Sequence, residues 1–298
     1  MCIVFFAHSY GRYKLVIAGN RDEFLDRPTA RAHRDGDIFG GTDIAFASGY
    51  KSQLFATSNN KSKEIENNGS HTDTASTAGT ENGRWMAINT RSGKFSFLTN
   101  YRENTPRLDA QSRGCLVRDY LKGEATPSRY CLQVDYCKSD WNGFHLIAGD
   151  LESISYVGSS GYLHQLNLEQ VHGISNGPFL PSDSGQSEWP KVSHGKMIFK
   201  EIMDNDLGIK ELQKQLFALL ANETAYPASD IPLGLDAEME RKLSTICIDK
   251  DRFNGAYATR TMTLIIVDAD NHGYFIERDL YSGSERSIHT TVEEFTID

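Results

Sequence analysis

Apolar positions along this chain fall in short runs that come in pairs around turn residues. "CIVFFAH" and "KLVIAGN" flank "SYGRY", and "WMAIN" and "KFSFLTN" flank "TRSG". "FHLIAGD" and "SISYVGS" flank "LE", while "TMTLIIVD" and "YFIERD" flank "ADNHG". Each pair predicts an antiparallel hairpin closed by Gly- and Asn-type turn chemistry. "CIVFFA" and "TLIIV" are apolar at consecutive positions, the pattern of strands covered on both faces. Helical spacing is confined to three stretches. Ile209, Leu212, Leu216, Leu219 and Leu220 share one face of "IKELQKQLFALL". Pro190 opens "PKVSHGKMIFKEIMDN" and turns Val192, Ile198 and Ile202 inward. A shorter helix fits "CLVRDYLKG". Many antiparallel strands with few helices predict an α+β fold, sheet on sheet with helices outside.

From about Ser58 to Asn82 the rhythm stops. "SNNKSKEIENNGSHTDTASTAGTEN" has almost nothing to bury and reads as a polar insertion in an otherwise single domain spanning 1–298. The net charge of −9 would repel a polyanion, and no basic run interleaves with aromatics, which argues against nucleic acid. No run reaches the roughly 18 apolar residues of a membrane span. Five cysteines without a CxxC pair suggest a reducing compartment and no zinc ribbon, and the histidines show no metal-binding spacing.

The candidate chemistry starts with "NRDEFLDRP", residues 20–28, directly after the second apolar run. With the first turn centred near Gly11, Cys2 falls opposite Asn20, and Arg21 and Asp22 lie at the same end of the sheet. If Met1 is removed, Cys2 carries a thiol and a free α-amine whose unperturbed pKa is about 7.7–8.0. That amine can act as base to its own thiol, with a neighbouring guanidinium favouring the thiolate. A lone cysteine is more often a small buried hydrophobe, so the residues alone favour that reading and leave the nucleophile open. Arg27 and Pro28 read as turn-formers, and Tyr257 as core or cleft wall.

The ordered set "MCIVFF", "AGNRDEFLDRPT", "GGTD", "FLTNYRE", "SRG", "GISNGP", "WPKV" and "YATRTMTLIIVD" resembles the NRDE-motif family, also called the transport and Golgi organisation protein 2 family. The resemblance runs from Met1 to about Asp268. It implies a four-layer αββα sandwich like that of the N-terminal nucleophile hydrolases, among which the cysteine amidases are the nearer comparison. Carried over by motif, Cys2 is the nucleophile, Arg21 lies beside it and Asp22 contacts its amine. Asn176 donates to the oxyanion with help from Asn100, and Arg260 completes the polar shell. Asn20, Glu23 and Tyr257 are cleft candidates. The amidases separate their Arg and Asp by two residues, whereas Arg21 and Asp22 are adjacent and must point to opposite faces.

Two functions follow as expectations. The resemblance implies a cytoplasmic protein, associated with Golgi or mitochondria, acting in Golgi organisation, secretion and haem or acyl-lipid homeostasis. Its ligand would be small and hydrophobic or acyl-containing, with haem bound non-covalently since no CxxCH is present and no cofactor is required. The alternative is an amidohydrolase cleaving a non-peptide C–N bond through Cys2. A duller third reading makes the polar cluster a buttress of the hairpin end.

Overall fold

The first two apolar runs pair, but the second strand runs further than its apolar residues. In a computed structural model describing residues 2–45, 82–103, 106–107, 109–159, 163–179, 188–227, 230–231 and 236–298, β1 is Ile3–Tyr10 and β2 is Tyr13–Phe24. "NRDEF" therefore lies inside β2, not beyond its end. A long partner strand holds it there, pairing Phe24 with Tyr257 at one end and Tyr13 with Asp268 at the other.

The remaining strands are β3 (Thr29–Asp35), β4 (Ile38–Asp43), β5 (Met86–Asn89), β6 (Phe95–Asn100), β7 (Phe144–Gly149), β8 (Ile154–Gly158), β9 (Leu163–Gln165), β10 (Val171–Ile174), β11 (Tyr257–Asp268), β12 (His272–Ser282) and β13 (Glu285–Thr296). They form two antiparallel sheets, ordered β10-β1-β2-β11-β12-β13 and β3-β4-β5-β6-β7-β8-β9. The four expected hairpins are all present.

Five α-helices lie among the described residues: α1 (Gly114–Lys122), α2 (Pro127–Tyr136), α3 (Pro190–Asp204), α4 (Ile209–Leu220) and α5 (Ala237–Leu243). Three apolar cores separate the layers. Phe5, Val16 and Leu264 of the first sheet pack with Phe199 and Ile202 of α3 and Leu216 of α4. Val4, Ile17 and Ile265 pack against Met86, Phe97 and Ile147 of the second sheet. Leu146 and Val157 pack outward against Leu116, Val117 and Val134 of α1 and α2. Alternate residues of β1 and β2 thus serve two cores, as strands covered on both faces must.

The ladder between β11 and β2 breaks step near its polar end. Thr259 pairs with Asp22 and Thr261 with Arg21, leaving Arg260 as an extra residue in a bulge. The expected polar insertion, apart from Asn82, lies outside the described residues. No described helix is long and apolar enough to cross a membrane.

Candidate functional site

The turn between β1 and β2 falls on Gly11 and Arg12, so Tyr10 pairs with Tyr13 and Ile3 with Asn20. Continuing that register sets Cys2 opposite Arg21, one residue from the Asn20 expected by centring the turn on Gly11. Cys2 is 8% exposed. Its carbonyl accepts from Ser175 Oγ at 2.8 Å, and the Asp22 backbone N–H donates to its sulfur. Burial pushes the thiol pKa up; the positive amino terminus and Arg21 pull against it, and the Asp22 charge adds to the rise. The thiol is held protonated, so nucleophilic attack would need a base.

Arg21 and Asp22 diverge, as their adjacency requires. Asp22 is buried on the helix side, where Oδ1 accepts from Thr259 Oγ1 at 2.6 Å. Burial raises its pKa, opposed by the amino terminus, Lys191 and the Thr259 bond. Lys191, 1% exposed, donates from Nζ to the Leu243 carbonyl at 3.0 Å and lies 5.7 Å from the Trp189 ring centre. Burial draws its pKa down to about 8 while Asp22 resists. Arg102 stacks 4.9 Å from the same ring and pairs with the buried Glu240 of α5. Sequence reasoning missed Lys191 and Glu240. The available signal was a lysine between Pro190 and Val192, at the start of a helix whose next residue faces inward.

Arg21 turns between the sheets. Its guanidinium meets Thr29 at 3.3 Å, Glu23 at 3.5 Å and Asp43 at 3.4 Å. Arg27, expected as a turn-former, instead joins this network through Asp43 at 2.9 Å. Arg260 donates to the Arg27 carbonyl from its bulge, and bulges commonly re-aim a side chain in this way. Burial lowers the Arg260 pKa, and Arg21 lowers it further. Arg113 approaches from the start of α1, donating to the Gly143 carbonyl at 2.8 Å. Burial lowers its pKa, while the charges of Glu103, Glu23 and Cys2 raise it.

Farther along the same inter-sheet space, Glu277 accepts from Ala32 N–H at 2.8 Å and from Thr263 Oγ1 at 3.3 Å. Burial, with Asp279 nearby, raises its pKa to about 7. The unfolded chain releases this proton near pH 4.3. Between those values the native state binds the extra proton, so stability falls as pH rises through the window. Glu277→Gln keeps an acceptor for Ala32 and has no charge to bury. It should flatten this dependence and gain on the order of 2–3 kcal/mol at pH 8 relative to wild type. Urea unfolding at pH 5 and pH 8 measures the effect, and parallel losses in both proteins would refute it.

The asparagines are placed differently from one another. Asn20 is fully buried and donates to the Leu220 carbonyl at 2.8 Å and the Ile246 carbonyl at 2.9 Å, tying β2 to the end of α4. Asn176 is 3% exposed; its amide donates to the Asn100 carbonyl, and its own carbonyl accepts from Arg102 N–H at 3.0 Å. Thr99 Oγ1 reaches the Ser175 carbonyl at 2.7 Å. These bonds lace the end of β6 to the segment after β10 and bring Asn176 beside the Cys2 contact, Ser175. Asn100 is exposed and enters through its backbone. Tyr257 is buried against Phe24 and Phe253 and donates to the Asp22 carbonyl at 3.2 Å.

A hollow of about 390 Å³ is lined by Tyr10, Tyr13, Asp204, Asp206 and Leu207 at the turn end of the hairpin. Cys2 lies at the opposite end of β1, about 25 Å away by strand rise. Its own end has a hollow of about 10 Å³ beside Ser175 and Trp189. Concentrated buried charge, not volume, marks the site.

These side chains lie within the stretch of the chain that a known family matches. The family described as Transport and Golgi organisation 2 matches residues 1–51 and 59–282. The chain belongs to that family. Among relatives in the Transport and Golgi organisation 2 family, the Homo sapiens "Transport and Golgi organization protein 2 homolog" is 31% identical over 316 residues, covering 100% of this chain and 99% of the relative. The Bos taurus homolog is 30% identical over 314 residues with the same coverage. The Drosophila melanogaster "Transport and Golgi organization protein 2" is 26% identical over 302 residues, covering 94% and 92%. The gap in the family match, residues 52–58, falls outside the described residues.

Proposed function

We propose that this protein acts in transport and Golgi organisation, as the names of its relatives indicate, and that its working part is the Cys2 site. That site has the groups of a cysteine N-terminal nucleophile amidohydrolase acting on an acyl amide. The observation that carries the reading is the placement of Cys2 at the head of β1, against Asp22 and Ser175, with the Asn176 amide alongside. Two antiparallel sheets with helices outside are the framework such hydrolases use, and the fold is compatible with it.

The chemistry balances with groups already present once Met1 is removed. The α-amine of Cys2 takes the thiol proton as sulfur attacks the amide carbon. The second N–H of Asn176, beyond the one given to Asn100, is the donor for the developing oxyanion. One such donor contributes about 3–4 kcal/mol to lowering the barrier. The C–N bond breaks as the amine returns the proton to the leaving nitrogen, giving a thioester. Water, deprotonated by the same amine, then hydrolyses the thioester, releasing the acid and restoring the thiol.

Haem, which the family resemblance implies as a non-covalent ligand, fits these residues poorly. An axial thiolate needs a lowered pKa, whereas burial raises that of Cys2. The surrounding Asp22, Lys191 and Arg21 are charged where a haem plane needs apolar faces.

The test is hydrolysis of a panel of acyl amides by protein whose intact mass shows the chain beginning at Cys2. Cys2→Ala should reduce turnover to background with the thermal midpoint unchanged within a few degrees. Persistent turnover by Cys2→Ala, or Met1 retained in protein from cells, would rule out the nucleophile.

A further inference from the structure

The first sheet ends on a long open edge. β13 pairs with β12 on one side, and among the described residues no strand pairs with the other. The remaining sheet edges are β10, β3 and β9, of 4, 7 and 3 residues. Edges that short offer little to an approaching strand. β13 has 12 residues, and every second one turns its main-chain N–H and C=O away from β12.

The side chains along this edge are arranged in a definite order. Ile288 and Val292 are 60% and 52% exposed. His289 still pairs with Asp279, so Ile288, the next residue, shares a face with Thr290, Val292 and Glu294. That is the helix-side face, because Val292 lies opposite Ile276 of the first core. Glu294 is exposed and has no ion-pair partner among the described residues. The ladder then gains one residue before Arg286, which meets Asp249 only loosely, at 3.5 Å.

An antiparallel partner fits this edge if it presents the same residues in reverse order, and a second β13 does so. With a two-fold axis through Thr290, that residue meets its own copy. Ile288 meets Val292 of the second copy and Arg286 reaches its Glu294, each contact occurring twice by symmetry. On the other face His289 meets Thr291 and Ser287 meets Glu293, so no like charges are opposed. The neighbouring registers are worse. An axis through His289 sets Glu285 against Glu293, and one through Thr291 sets Ile288 against Glu294.

We propose that β13 is an interface between two copies of this chain, joined edge to edge about Thr290 so that two six-stranded sheets become one. This is strand addition in which the protein is its own partner. The assembly closes at two, because the axis occupies the same edge of both copies. Pairing β13 with β10 of another molecule would instead propagate, and β10 has only 4 residues to offer. The proposal is independent of the Cys2 chemistry.

Sedimentation equilibrium of the full-length protein should show a reversible, concentration-dependent monomer–dimer exchange. Val292→Lys puts a charge into the seam twice and should weaken association about tenfold. Its thermal midpoint at low concentration should be unchanged, since Val292 is already exposed. Arg286→Glu should also weaken the dimer, and adding Glu294→Arg to the same chain should restore it by re-forming the pair across the axis.

Thr290→Cys tests the register. Opposed Cα atoms of an antiparallel pair lie about 4.5–5.5 Å apart, within the span of a disulfide. Mild oxidation should link two Thr290→Cys chains through that residue, read by mass spectrometry against wild type as control for the native cysteines. Thr296→Cys, far from the axis, should not link to itself. Hydrogen exchange distinguishes the other occupants. Protection of the outward β13 amides should rise with concentration; full protection in dilute monomer means that another segment of the chain covers the edge and overturns the proposal. A monomer at every concentration overturns it as well, and so does a dimer that Val292→Lys leaves intact and Thr290→Cys does not link.

Discussion

Replacing Arg102 with alanine is expected to destabilise the protein by about 3–5 kcal/mol, the cost of breaking one side of a buried ion pair. Its partner Glu240 is 1% exposed, so truncation takes the guanidinium away from a buried carboxylate. The loss includes the guanidinium stacked on Trp189, worth about 0.5–2 kcal/mol as a cation–π contact. Arg102 follows β6 of the second sheet, whereas Glu240 and Trp189 flank the helices over the first, so the pair fastens two layers at the site. Urea unfolding measures the cost. Arg102→Ala combined with Glu240→Gln should recover a large part of it, because the amide no longer buries a charge. A loss below about 1 kcal/mol for the single variant, the range of an exposed pair, would show that this contact does not hold α5.

Phe5→Ala should cost a similar amount, about 3–5 kcal/mol. Phe5 is fully buried and stacks on Phe199 with ring centres 6.2 Å apart. Its ring also fills the place where α3 comes closest to β1, since a Cβ added to Gly195 would sit 2.0 Å from it. Removing the ring opens a cavity under the helix that carries Lys191. Gly195→Ala alone should also destabilise, by overpacking, yet it should cost less when Phe5 is already alanine. A double-mutant cycle in urea checks this coupling. Additive losses would mean that helix and strand do not meet through these two residues.

The hairpins were legible in the sequence because each pair of apolar runs is joined by a short turn, and local chemistry settles such pairings. The α3 and α4 spans were legible from their 3.6-residue spacing. Less was visible where burial is not apolar. β13 reads "ERSIHTTVEEFT" and is mostly exposed, so no hydrophobic pattern announces it; pairing with β12 defines it. The extension of β2 through "NRDEF" was hidden for a related reason. Polar residues there are buried by partners distant in sequence, such as Thr259 and Asp43. The cluster around Cys2 was found in part, through Arg21, Asp22, Asn176 and Arg260. The register error of one residue arose because a turn's centre cannot be fixed between Gly11 and Arg12 by composition alone. Lys191 and Glu240 escaped because single charged residues in amphipathic helices ordinarily face water.

The bulge at Arg260 divides β11 into two reading phases. On one side Thr261 shares the Arg21 position and Thr263 touches Glu277, so odd-numbered side chains enter the space between the sheets. On the other side Thr259, also odd, bonds to Asp22 on the helix side. An unbroken strand could not place residues 259 and 261 on opposite faces. One extra residue works like the tooth that shifts a zipper by half a step. It lets a single strand address both compartments of the molecule, the inter-sheet network of Arg21 and the helix-side carboxylate of Asp22, across the backbone that separates them.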